Sequence, residues 1–368
     1  MTQTQPTTYA EYLKWRFVMH HKFLVGHIIP KISAGQTIRI GTHNKTFHAD
    51  EVMAVVMMRM LITKLGGEHT IHRVDRKDQD MLDSMDVLLD VGCELDPENG
   101  RFDHHQPDGT LYRIKPHSQI GMPLSTCGLV WHAVGLVLAD EAENATPASA
   151  DTRAFFKVDR DVAQGVDASD NGVLMPNGYS FKHPERGHQE LPGKPMHLSQ
   201  IIGMFNGGDI HNAELQFQKF SMALDMAQAV LKNSLADAKT FAKARPKLET
   251  ALKQDRLWPE VLVLHEHIRW TEHIGHADKS DSVKIVIAPT GGEHDHWNVH
   301  IVSRNGHPTL PGPPDNWRGL RGGELSSTAG IAGLEFCHNG GHLIVTRSKE
   351  VALEVAKMLL QNTKKTAA

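Results

Sequence analysis

Three consecutive pieces of the chain restrict its opening architecture more than anything else in it. Residues 37–41, TIRIG, alternate apolar and polar positions and close on Gly, as a short strand does. Residues 50–67, DEVMAVVMMRMLITKLGG, predict a helix of about sixteen residues ended by the paired glycines. Its first turn holds Asp50 and Glu51, where the helix dipole favours negative charge. Residues 85–92, MDVLLDVG, form an apolar run that closes on Asp90 and suits a buried parallel strand. Strand, helix, strand predicts an α/β sheet, and ligands of such sheets gather at the carboxyl ends of the strands. The stretch GTHNKTFHADE (41–51) and Asp90 both fall there. Two histidines and two adjacent carboxylates in eleven residues suit a metal site, a catalytic pair or a polar loop.

A chain of 368 residues exceeds one ordinary core, so at least two domains are expected. Hydrophobic residues make up 40% and charged ones 22%, as in a soluble globular protein. The formal net charge of −4 excludes a globally basic nucleic-acid coat, though not a local basic groove. Cys93, Cys127 and Cys337 are far apart, which argues against a disulfide framework or a thiolate zinc site. A reducing compartment follows: cytoplasm in a bacterium, with nucleus or organelle open in a eukaryote. No run approaches the roughly 18–20 apolar residues that span a bilayer, so no membrane partner is expected.

Further along, residues 183–197, HPERGHQELPGKPMH, read as a surface loop or linker. Residues 212–245 read as one long helix, with Phe220, Leu224, Ala227, Leu231, Leu235, Ala238 and Phe241 on one stripe and Pro246 as its stop. EVLVLHE, VKIVIAPT, WNVHIVSRN and LEFCH read as strands, and SKEVALEVAKMLL as a closing amphipathic helix. The expected fold is α/β in two lobes: a parallel-sheet N-terminal domain and an α+β C-terminal domain with a mixed sheet, joined by a long helix. The expected boundaries are an extension over 1–35, a metal-binding catalytic domain over 36–200, connecting helices over 201–254 and a substrate-binding domain over 255–368.

Four separated pieces carry the chemistry: His43-x4-His48-x-Asp50; the strand-final Asp90; Asp103-His104-His105; and Asp167-x-x-Asp170 before Asn171-Gly172. A buried Asp needs a partner, and a divalent ion is a good one. Mixed imidazole and carboxylate donors suit Mn(II), Fe(II) or Zn(II) better than Mg(II). There are too many donors here for one ion, and they fit two ions sharing a bridging carboxylate. Two such ions, about 3.5–4 Å apart, can activate water and clamp an in-line phosphoryl displacement.

In that order, these pieces resemble the DHH phosphoesterase superfamily. GTHNKTFHADE, DVGCELDPENGRFDHHQ and VDASDNG resemble specifically its melanocyte-proliferating-gene family, also called metal-dependent protein hydrolases. WRGLRGGEL and GIAGLEFCHNGGHLIVT continue the likeness, which covers residues 36–362. Lys45 stands where the family usually has Gly, and Ala49 where Cys is common. The resemblance implies that His43 and His48 hold the first ion, that Asp50, His104 and Asp170 hold the second, and that Asp90 bridges both. Asp167 is the alternative to Asp170. His105 would face the substrate phosphate or protonate the leaving oxygen, with Asp103 supporting it. Related enzymes open with H-x3-D-x-D. Here His48 takes the first Asp's place, which makes the first ion's surroundings more nitrogen-rich and less negative. Two ions are implied, Mn(II) first, with Mg(II), Fe(II) or Zn(II) as substitutes.

A phosphodiester also needs cationic contacts. Arg304, Arg318, Arg321 and His342 are candidates, and Gly340-Gly341-His342 resembles the Gly-rich His loop of the DHH-associated domain. The implied activity is a 3′–5′ exonuclease on single-stranded RNA or short oligonucleotides, with a homodimer among the assemblies open to it. The rivals are hydrolysis of a small phosphate (pyrophosphate, a nucleotide or a cyclic dinucleotide) and a non-catalytic metal-binding regulator. Aromatic residues are only 6% of the chain, and no stacking platform for a long strand stands out.

Overall fold

The computed structural model describes residues 9–106, 111–113, 121–139, 152–173, 179–183, 187–191, 196–209, 211–292 and 295–366. The chain divides into two compact units, Met1–Lys239 and Thr240–Ala368.

The first unit opens with α1 (Tyr9–His21), which continues into a π-helical stretch, Lys22–Ile28. Then come β1 (Ile38–His43), α2 (Ala49–Lys64), β2 (His69–Val74), β3 (Val87–Leu89), β4 (Leu95–Asp96) and β5 (Arg101–Phe102). The five strands form one sheet in the order β2-β1-β3-β5-β4. All pairs are parallel except β4 with β5. The expected strand–helix–strand is therefore present, with its order reversing beside β1. In open α/β sheets, such a reversal leaves a crevice at the strand carboxyl ends. Every position of α2 from Ala49 to Met58 is buried. A helix that is apolar all round belongs inside a core, and α2 packs against α3 (Thr126–Ala139), which is equally apolar. Next comes α4 (Gln164–Asp170).

The stretch read as a loop over 183–197 contains a strand. Strand β6 (Tyr179–His183) pairs antiparallel with β7 (Gly187–Leu191). A two-stranded hairpin is held by its main-chain ladder and does not require the apolar alternation that would have revealed it. After α5 (Leu198–Gly203) comes α6, Ala213–Gln254, and the division between the units falls inside it. Pro246 does not end this helix. An interior proline costs about 3 kcal/mol, but the buried stripe continues past it. Leu248 and Ala251 pack with Leu262, Leu264, Trp270 and Val286, and that burial carries the helix on for two more turns.

The second unit has a six-stranded mixed sheet. In chain order its strands are β8 (Arg256–Trp258), β9 (Val261–Val263), β10 (Ile285–Pro289), β11 (Trp297–Ile301), β12 (Leu334–Cys337) and β13 (Leu343–Thr346), arranged β8-β9-β10-β11-β13-β12. Only β9 with β10 is parallel. One face packs on α7 (Gly322–Ala329) and α8 (Lys349–Thr366) through Leu325, Val355 and Leu359. The other packs on the end of α6.

Candidate metal centre

Strand β1 ends at His43, and the loop to α2 carries His48. That loop is held from three sides. Arg73, on the neighbouring β2, donates from Nε to the His43 carbonyl (2.6 Å) and from Nη2 to the Lys45 carbonyl (3.0 Å). Its guanidinium stacks on Phe220, 4.2 Å from the ring centre. Asn206 accepts from the Phe47 N–H (2.9 Å) and donates to the Phe47 carbonyl (2.6 Å), as a partner strand would. Glu51 Oε2 accepts from the His48 N–H (2.8 Å), in the capping-box manner. Lys45 sits at φ +66°, in the left-handed region that favours Gly.

Asp90 follows β3 at φ +57°, a strained position that Asp tolerates better than most residues. Its N–H donates to the Phe102 carbonyl on β5. Its two oxygens diverge: Oδ2 lies 3.3 Å from His43 Nε2, and Oδ1 lies 3.5 Å from His104 Nε2. His43 Nδ1 donates to the Asn44 carbonyl (2.9 Å), which leaves Nε2 as the atom available to a metal. His104 Nε2 is also 3.2 Å from Asp170 and 3.8 Å from Asp50. Asp103 accepts from the Cys93 N–H at one oxygen and from His105 N–H and Nδ1 at the other, which fixes the His105 ring.

Three donor groups result: His43, His48, Glu51 and Asp90; Asp90, His104 and His105; Asp50, His104 and Asp170. Within each, one donor atom per residue lies within 4.8 Å of the others. Among the described residues, His43 Nε2, both oxygens of Asp50 and Glu51 Oε1 are buried with no hydrogen-bond partner. Such orphaned atoms are costly, and in a mixed imidazole–carboxylate set they are what divalent ions satisfy. The titration behaviour agrees. Burial, then the charges of Asp90, Glu51 and Asp170, pushes Asp50 well above the ordinary carboxylate range. Burial also raises Asp170. Burial works to lower His43, but close pairing with the carboxylates of Asp90 and Glu51 outweighs it and brings it to about 9. Asp103 and then Asp90 hold His105 up at about 10. Burial opposes ionisation of Asp90, yet contacts from His105 and His43 keep it below the usual range.

Asp167, the alternative to Asp170, is committed elsewhere. Its Oδ1 accepts from Ser125 N–H, Ser125 Oγ and Gly128 N–H at the start of α3. The cavity over the donors measures about 780 Å³ and is lined by Phe47, His48, Asp50, Asp90, His104, His105 and Asp170, with Arg76, His197, Ser199 and Gln200. Sequence reading missed Glu51 as a donor and Arg76 and the 196–206 wall as lining. Glu51 was readable only as a dipole partner, and nothing local marks the wall.

The expected substrate contacts lie in the second unit and share no donor group with these residues. His342 stacks near His338 (4.2 Å between ring centres), and burial, then His338, lowers it. Gly341, at φ +67°, faces Arg318: a Cβ there would lie 3.1 Å from Arg318 Nε. Gly340 belongs to the same turn, between His338 and His342. Arg321 stacks over Phe336 at 4.6 Å. Arg304 is taken up by structure instead. At 16% side-chain exposure it pairs with Asp278 (2.8 Å) and Asp281, carboxylates that sequence spacing gave no means to match with it.

Fold and side-chain clusters together define an α/β protein with a candidate metal centre at its parallel-strand ends. The chain belongs to the MYG1_exonuc family, described as an uncharacterised protein family (UPF0160), whose model matches residues 39–360. This is the family expected from the motif blocks. The chain is 29% identical over 340 residues to the human MYG1 exonuclease, covering 88% of this chain and 85% of that one. It is 29% identical over 340 residues to the MYG1 protein of Dictyostelium discoideum, covering 89% and 98%. A crystal structure of RecJ in complex with Mn2+ from Thermus thermophilus aligns with 96% of this chain and 56% of its own, at 13% identity and a TM-score of 0.26. So loose a superposition carries no weight for the site.

Proposed function

We propose that the protein is a divalent-metal-dependent phosphodiesterase that trims single-stranded RNA or short oligonucleotides from the 3′ end. One observation carries this reading. Donors from four chain segments converge in three overlapping groups that share Asp90 and His104, with buried donor atoms lacking any other partner. The human relative's name, MYG1 exonuclease, supports the same class.

His43, His48 and Asp90 would hold one ion, and Asp90, Asp50, His104 and Asp170 the other, with Mn(II) the best match to the donors. Such ions lower the pKa of water and offset charge developing on phosphate. The protein's own part is positional. Asp90, divided between the two groups, sets their spacing. Asp103 fixes His105 through Nδ1, which leaves Nε2 to deliver a proton to the leaving 3′ oxygen as water oxygen bonds to phosphorus and the P–O3′ bond breaks. Arg318, Arg321 and the Gly340-Gly341-His342 turn would grip the substrate's remaining phosphates.

A cavity of about 780 Å³ is also the size of an ordinary small-ligand site, which favours a small-phosphate hydrolase as the second reading. The test is a panel with Mn(II): 5′-labelled RNA, pyrophosphate and a cyclic dinucleotide. Release of mononucleotides from the RNA, lost in Asp90→Ala, is the expected result. Hydrolysis of only the small substrates would install the second reading, and no hydrolysis of any would remove both.

A further inference from the structure

We infer that Glu51 is a protein donor to the first ion, through Oε1, so that the adjacent residues Asp50 and Glu51 serve different ions. The inference rests on the metal-dependent reading above and concerns how that centre is built.

The bland role for Glu51 is already filled by its other oxygen. Oε2 caps α2 by accepting from the His48 N–H. Oε1 is buried, has no hydrogen-bond partner among the described residues, and lies 3.0 Å from His43 Nε2, itself without a hydrogen-bond partner. A lone cap would not need a second oxygen aimed at a ligating nitrogen. Glu51 also shares a donor group with His43, His48 and Asp90, whereas Asp50 falls with His104 and Asp170. Helix geometry makes this division natural. Successive residues leave an α-helix about 100° apart, since 3.6 residues complete a turn, so neighbouring carboxylates diverge toward two targets rather than converging on one.

Charge points the same way. Without Glu51, the group of His43, His48 and Asp90 offers the first ion two neutral imidazoles and a single carboxylate. Glu51 supplies a second carboxylate. Asp50, Glu51, Asp90 and Asp170 then offer four negative charges, which two divalent ions balance. Asp50, Glu51 and Asp90 are all at most 2% exposed, and buried carboxylates without counter-charge are strongly disfavoured.

The test is calorimetric titration of the full-length protein with Mn(II), comparing wild type, Glu51→Gln and Asp170→Asn, with circular dichroism to check folding. Gln keeps an oxygen for the His48 N–H but loses the charged donor. Wild type should bind two ions. Glu51→Gln should keep one and weaken the other by at least the ~10–100-fold that loss of a mere supporting partner costs. Asp170→Asn should weaken the opposite one, so the double variant loses both. If Glu51→Gln does not fold, Glu51→Asp, which withdraws the donor by one methylene, takes its place with the same expectation. Two ions bound by the variant with wild-type affinity would overturn the assignment while leaving the metal-dependent reading intact. A wild-type protein that binds no Mn(II) would overturn both.

Discussion

Arg73 Nε donates to the main-chain carbonyl of His43 at 2.6 Å, so a half-buried cation stands directly behind a histidine of the candidate metal centre. The same guanidinium reaches the Lys45 carbonyl and stacks on Phe220. It holds the loop's shape without occupying the cavity.

Arg73→Ala leaves two carbonyls without their donor. Losing the donor to the part-buried His43 carbonyl should cost up to ~1–3 kcal/mol, and the exposed Lys45 carbonyl little, so the melting temperature should fall. Mn(II) affinity should drop ~10–100-fold, as when an outer partner of a ligand is lost. Arg73→Lys should lie between, since one ammonium cannot reproduce the fork. Thermal unfolding with and without Mn(II) measures both effects, and an Arg73→Ala protein with unchanged metal affinity would refute the positioning role.

Asp167 and Asp170 should separate cleanly. Asp167→Asn removes the negative charge from an acceptor serving three donors at the start of α3. It should cost a few kcal/mol, on the order of ~1–3 per weakened charged bond, with two ions still bound. Asp170→Asn should have little effect on metal-free stability and a large one on metal binding. Denaturant melts set beside metal titrations decide it, and the reverse pattern would exchange the two roles.

The metal-free protein should lose stability as pH rises from about 6.5 toward 9. His43 has its folded-state pKa raised from 6.5 to about 9, so its stabilising contribution is complete below 6.5 and fades as pH climbs through 9. His105, raised to about 10, and Asp50, also raised, contribute with the same sign. At pH 7 a proton must leave His43 before a metal can bind it. Mn(II) titrations in two buffers of different ionisation enthalpy should therefore show net proton release, and equal heats in both would contradict this.

Lys45→Gly should be neutral or stabilising, by up to ~1 kcal/mol, because Lys45 holds a left-handed backbone (φ +66°) at a cost Gly does not bear. At an ordinary loop position the same change would destabilise. Thermal melts would expose a clear loss.

The strand–helix–strand opening could be read because its period and apolarity are local properties of TIRIG, α2 and VLLD. That His43, His48, Asp50, Asp90, His104 and Asp170 would come together was readable because each lies at or just past the carboxyl end of a strand, or in a motif with fixed spacing. Glu51 escaped because its first-turn position already had an explanation. Strand β7 escaped because its sequence, GHQEL, carries no apolar alternation. Pro246 misled because the helix signal is local, whereas the burial of Leu248 and Ala251 that overrides it comes from a sheet residues away. Arg304 misled because Asp278 and Asp281 become its neighbours only once β10 and β11 are paired.

The Asn206 amide holds both polar groups of the Phe47 backbone, and Phe47 and Asn206 both line the cavity. The wall a substrate would press on is thus stapled to the loop that presents His43 and His48. A ligand that fills the one would stiffen the other, and thermodynamic linkage would make the benefit mutual: whatever factor bound ions add to the grip on that ligand, the ligand adds to the grip on the ions.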